Sequence, residues 1–126
     1  MSIRFISKTI HAYLDYPVAI SLMALPFLLQ LGNTNSLAIW ISVITGIAAF
    51  ILTVFTNHKL GLVPLIPYKV HITVDFLVGM TFIFVPFIFK FSGLDAWYYW
   101  ANAVAVLTAV SLSKPGTLNE EDPATI

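Results

Sequence analysis

The sequence predicts an all-α integral membrane protein: a four-helix bundle of two tandem two-helix repeats, related by a pseudo-twofold axis along the membrane normal. Three observations carry that expectation. Of 126 residues, 59% are hydrophobic and 10% charged, whereas a soluble domain carries roughly 25% charged residues. No residue from Tyr16 to Asn57 bears a formal charge. The chain also matches itself at an offset of sixty. A domain this short buries only about two-thirds of the surface its unfolded chain exposes. That is too little to hide so much apolar side chain from water, so part of the solvent must be lipid.

The uncharged run and its approach hold two crossings of about 20 residues each. Turn-forming residues cluster in Leu31-Gly-Asn-Thr-Asn-Ser36 and divide the crossings there. Span 1 is expected over Ile10–Leu31 and span 2 over Leu37–Thr56. Span 3 covers Val70–Phe89 and is closed by Lys90, Ser92 and Gly93. Span 4 covers Ala96–Ser113 and is stopped by Lys114-Pro115-Gly116. Residues 1–113 thus read as a transmembrane domain, with repeat 1 at about 1–56 and repeat 2 at about 61–113. Residues 114–126 are polar and acidic with a proline, and read as a disordered tail. The first apolar run is longer than a signal-peptide core and lacks a small-x-small cleavage site, so the N-terminus is expected to be retained.

Basic residues set the orientation. Arg4, Lys8, Lys59, Lys69 and Lys114 fall on the side of the termini and central loop, and only Lys90 lies opposite. The positive-inside rule then places both termini in the cytoplasm. Trp97, Tyr98, Tyr99 and Trp100 mark the far-side headgroup layer, where aromatic rings are favoured. A net charge of zero without a basic run argues against nucleic acid as a partner. The expected partner is the bilayer, with room for a homo-oligomer. The absence of cysteine removes disulfides, thiolate metal sites and thiol nucleophiles.

At the offset of sixty His11 meets His71, Asp15 meets Asp75, Pro26-Phe27 meets Pro86-Phe87, and Trp40 meets Trp100. Apolar matches cost little in such a chain. Matches among three histidines, three tryptophans and six acids are more telling. The leads 3–8 and 63–68 also correspond, as short amphipathic approaches suited to the interface. Two spans per unit make the units parallel, the arrangement known among transporters.

An acid, a small residue, an apolar run, a proline–aromatic pair and then Trp-x5-Gly (Trp40 to Gly46) resembles the SPW-repeat family of small bacterial membrane proteins. The stretch from Thr56 to His71 looks like the linker before the second repeat in its two-repeat members. Leu25-Pro26-Phe27 and Val85-Pro86-Phe87 stand where the family has Ser-Pro-Trp, and Val106 replaces the second glycine. The resemblance implies the fold and a bacterial inner-membrane location. It implies no activity.

The candidate site residues are His11, Asp15, His71 and Asp75. Residues at i and i+4 share a helix face, so each histidine projects with its own aspartate. Fourteen residues separate Asp75 from Lys90, so a crossing of about 20 has to include Asp75. Ionisable groups at such depth face protein or trapped water and find partners. The first reading is structural: His11 bonds Asp75 and His71 bonds Asp15, tying the repeats of an accessory membrane protein. The alternative is a metal- or proton-handling protein, since the four residues make an N2O2 set for a divalent cation. Haem ligation by the two histidines is weaker, and catalysis weaker still, because no nucleophile is placed beside them. Pro26 and Pro86 should free the carbonyls of Leu22 and Phe82 and kink spans 1 and 3. Ala48, Ala49, Ala101, Ala103, Ala105 and Ala109 should let helices approach closely. His58 and Lys59 read as loop or headgroup contacts.

Overall fold

The computed structural model describes residues 4–56, 61–63 and 65–113. His58, Lys59 and the 114–126 tail lie outside them. The described residues form four helices: α1 (Lys8–Leu28), α2 (Leu37–Val54), α3 (Tyr68–Ile88) and α4 (Gly93–Leu112). They match the four expected segments to within three residues at each end. Two isolated bridges are the only β pairing among the described residues. α2 and α3 are long and apolar enough to cross a membrane, and only 22% and 28% of their apolar windows are buried inside the protein. α1 and α4 are diluted by inward-facing polar groups, among them His11, Asp95 and Tyr98.

α1 packs along α2, and α3 along α4, to make two hairpins. In the first, Gly46 lets the helices close: a Cβ there would lie 2.8 Å from the Ala19 carbonyl oxygen. In the second, the glycine sits on the opposite helix. A Cβ on Gly79 would meet the Leu107 side chain at 2.7 Å and the Val106 side chain at 3.5 Å.

Both hairpin turns begin alike. Gln30 and Lys90 adopt left-handed backbones (φ 54° and 57°), and Leu31 and Phe91 each donate their amide to the carbonyl of the helix proline, Pro26 or Pro86, at 2.9 Å. Leu31 and Phe91 are buried, as the apolar residue closing such a cap usually is. After the turns the correspondence slips. α1 and α3 bury matching positions sixty residues apart, as with His11 and His71, Leu22 and Phe82, or Pro26 and Pro86. In α2 and α4 the buried Ala38, Ser42 and Gly46 match Asp95, Tyr99 and Ala103, three residues short of that offset. The first outer turn is longer by about that much, so Trp40 corresponds by burial with the exposed Trp97 rather than with the half-buried Trp100.

The hairpins meet at both ends. At the turn end, Phe82, Val85, Phe91, Tyr98 and Tyr99 form the main core with Leu22 and Ala38. The Tyr99 hydroxyl donates to the Ala38 carbonyl at 2.7 Å. The Ser42 hydroxyl donates to the Leu22 carbonyl, freed by Pro26, at 2.7 Å, and so accepts from Tyr98 at 2.6 Å. Of the aromatic cluster expected at the headgroups, Tyr98 and Tyr99 are instead buried, while Trp97 is exposed. Their hydroxyls serve neighbouring α2 groups rather than water. Trp100 Nε1 donates to the Ile83 carbonyl, one residue beyond the Phe82 carbonyl freed by Pro86.

At the terminal end, residues 4–7 and 65–67 of the two leads are not helical. The Ile6 amide donates to Leu112 O at 2.9 Å, and the Ile66 amide to Phe55 O at 2.8 Å. Each thereby satisfies a carbonyl left open at a helix C-terminus. The start of α1 is pinned to the end of α4, and the start of α3 to the end of α2.

Gly46→Ala should be the costlier of the two glycine substitutions. It pushes a methyl into a backbone carbonyl, with an overpacking cost of about 1–3 kcal/mol. Gly79→Ala meets a half-buried leucine that can rotate away. Thermal unfolding in detergent should show the larger drop for Gly46→Ala; equal drops would contradict the packing described.

Candidate ion-pair centre

The terminal end closes on four ionisable side chains. His11 and Asp15 stand one turn apart on α1, and His71 and Asp75 one turn apart on α3. His11 Nε2 lies 3.1 Å from Asp15 Oδ1 and 2.9 Å from Asp75 Oδ2. His71 Nε2 lies 3.1 Å from Asp15 Oδ2 and 3.3 Å from Asp75 Oδ2. The expected cross-helix pairs are thus present, and so are the pairs within each helix. One donor atom from each residue falls within 4.8 Å of all the others. Both histidines are buried, and both aspartates nearly so. α1 begins at Lys8, so Asp15 sits about 10 Å along the helix, deeper than the span boundary suggested.

The far nitrogens of the two rings fix the chemistry of the near ones. His11 Nδ1 is 2.8 Å from Ser113 Oγ, and His71 Nδ1 is 2.7 Å from Thr56 Oγ1. Each hydroxyl donates its single proton to a carbonyl four residues back in its own helix, Ala109 O for Ser113 and Leu52 O for Thr56. Each hydroxyl must therefore accept, and each Nδ1 must donate. A neutral imidazole in that tautomer turns a lone pair on Nε2 towards the centre. Carboxylate oxygens occupy the same space. Four acceptors facing one another need positive charge between them, either a proton on each Nε2 or a cation.

Asp15 Oδ2 is fully buried and has no hydrogen-bond partner among the described residues, despite its nearness to His71. A tetrahedron with bonds of about 2.0–2.1 Å has edges of about 3.3 Å. The four imidazole–carboxylate distances run from 2.9 to 3.3 Å, with Asp15 using Oδ1 towards His11 and Oδ2 towards His71. One donor atom per residue spreads to 4.8 Å, so the four would draw inward around an ion. Nδ1–H anchored to a protein oxygen is how ligating histidines are oriented, and in donor type and ring orientation the residues suit a small divalent cation. They do not fit haem, because the carboxylates stand where the macrocycle would lie.

Around the centre, Tyr68 is buried and lies edge-on to His11 at 5.9 Å. The Lys8 ammonium stands 5.8 Å from the Tyr68 ring centroid, a cation–π distance. Beside the centre, between the hairpins, lies a cavity of about 630 Å³ bounded by all four helices. Ala48, Ala49, Ala105 and Ala109 line it. These alanines open space here instead of bringing helices together, whereas Ala103 is buried in the core.

A third carboxylate matters at the opposite end. Asp95, ahead of span 4, accepts from the amides of Gly32 (2.8 Å) and Thr34 (3.0 Å) and from the Thr34 hydroxyl (2.6 Å). It ties the two outer turns together. Its only trace in the sequence is an acid in the first turn after Ser92-Gly93. No family model matches the chain, and neither curated proteins nor solved structures contain a match to it.

Burial pushes the Asp95 carboxyl upward, but the Thr34 hydroxyl and the amides of Gly32, Thr34 and Asn35 outweigh it and hold the carboxyl below its ordinary value. A depressed folded value stabilises the fold above the ordinary carboxylate range, and that stabilisation is lost as pH falls towards the folded value. Asp95→Asn should cost about 1–3 kcal/mol at neutral pH. The gap from the parent should narrow below about pH 4. Unfolding measured across pH would contradict this if the gap stayed constant.

Proposed function

We propose that the protein is a small structural or accessory protein of the bacterial inner membrane, with four spans, both termini in the cytoplasm, and two parallel repeats tied at their cytoplasmic ends by His11, Asp15, His71 and Asp75. Support for the membrane comes from large exposed apolar side chains on every helix, such as Ile20, Ile44, Phe84 and Val104. A core helix in water would hide such residues. The recurrence of the site, the proline-capped turns and the pinned leads supports a pseudo-twofold along the membrane normal. The likeness to SPW-repeat proteins points the same way.

The observation that carries the tie is the single centre shared by four groups from two hairpins. A divalent cation is the reading of that centre we favour, because the Ser113 and Thr56 hydroxyls aim both Nε2 lone pairs inward. Two neutral imidazoles, two carboxylates and one divalent cation sum to zero charge, which suits a buried site. All four ligands come from protein, as in closed structural sites. The cation therefore acts as a clamp, and no reaction is assigned to it.

Protein purified without chelator should carry close to one divalent cation per chain by elemental analysis. His11→Ala and His71→Ala should each abolish it, and chelation should lower the thermal midpoint of the parent alone. A metal-free parent that chelator leaves unchanged, yet that both substitutions destabilise, would replace the cation with a pair of imidazolium–carboxylate bridges. Substitutions that change neither metal content nor stability would remove the tie itself.

A further inference from the structure

The cavity between the hairpins has a chemistry of its own. Its volume, about 630 Å³, falls within the roughly 300–1,000 Å³ of small-molecule sites. Its walls are apolar along their length, through Leu14, Val18, Leu52, Val74, Val78 and Val106. The polar wall residues are already engaged within their own helices. The Thr45 hydroxyl donates to Ile41 O, the Thr53 hydroxyl to Ala49 O, and the Asn102 amide to Tyr98 O. At one end stand Asp15 and Asp75 with the two histidines. From Asp15 to Leu22, α1 rises about 10 Å, so the polar corner and the apolar floor are a medium alkyl chain apart.

We propose that this cavity binds one neutral single-chain lipid with a hydroxyl head, of the medium- to long-chain alcohol class, its chain along the alanine-lined walls and its head donating its one proton to a carboxylate of the Asp15–Asp75 corner. Carboxylates only accept, so the head must be a donor. The corner is balanced in charge whether a cation or two imidazolium protons offset its aspartates. An anionic head would bring uncompensated negative charge into a buried site, and a cationic head uncompensated positive charge. The hydroxyl adds neither. Ala48, Ala49, Ala105 and Ala109 give the chain its room, since larger residues there would fill the space. The inference rests on the proposed membrane placement and not on the cation.

The test uses the full chain in phosphatidylcholine nanodiscs and three photoreactive probes with a diazirine in the chain: decanol, decanoate and decylamine. Cross-linked residues are located by mass spectrometry. The decanol probe should label cavity residues such as Val78 and Val106, while decanoate and decylamine should label only lipid-facing positions outside the cavity such as Ile20 and Phe84. The double variant Ala49→Leu/Ala105→Leu should cut cavity labelling by about tenfold or more, with an unchanged or raised thermal midpoint. If that variant does not fold, the comparison of the three heads still decides the matter in the parent. Equal cavity labelling by all three heads, cavity labelling by the charged probes alone, or none by decanol would overturn the proposal. Metal content measured on the same samples separates the two ideas. Cavity labelling in metal-free protein removes the clamp and leaves the lipid site standing.

Discussion

Two hydroxyls that can give their proton only once govern the terminal end of this protein. Ser113 and Thr56 each spend it on a carbonyl of their own helix. Each must then receive the Nδ1 proton of a histidine. That fixes which face of each imidazole looks inward, and the inward faces meet two aspartates. Without intervening positive charge the quartet would be mutually repulsive. With it, the same groups link the hairpins at this end, as the aromatic core does at the far end.

The two ends do different physical work. At the turn end, apolar burial and the hydroxyls of Tyr98 and Tyr99 hold α4 against α2, and Asp95 staples the outer turns. At the terminal end the four ionisable groups join the hairpins, beside the buried Tyr68 edge-on to His11. In low-dielectric surroundings an ion centre of this kind is strong only while complete. Removing one member leaves the others buried without compensation, at a cost of several kcal/mol. The pinned leads add to this closure. Ile6 binds the end of α4, so the chain's beginning and the last described helix share a hydrogen bond, while Arg4 reaches the Ser113 carbonyl at 3.1 Å.

Much of this was legible in the sequence because it repeats. Spacing of i and i+4 put each histidine beside its aspartate, and the offset of sixty brought the two pairs together. The helix segments and the carbonyl that Pro26 frees at Leu22 follow from the same local rules, whereas Ser42, which donates to that carbonyl, gave no signal. The ring-orienting hydroxyls did not follow. The offset matches Ser113 with Thr53, whereas the structure uses Thr56, because a longer first turn shifts α2 against α4 by about one helical turn. The alanines misled for a related reason. Small residues on a helix face permit close approach or leave a void, and only the crossing of the neighbouring helices decides which. Asp95 gave no signal beyond a common helix-start acid, since its partners lie in the turn of the other hairpin.

The sharpest measurement is X-ray absorption at the metal edge of the zinc-loaded protein in bilayers. A single shared centre requires two imidazole nitrogens and two carboxylate oxygens at about 2.0–2.1 Å, with no bound zinc left in either single-histidine variant. A shell of water oxygens, or one histidine with the second untouched, would show that the two hairpins do not converge on a common ion.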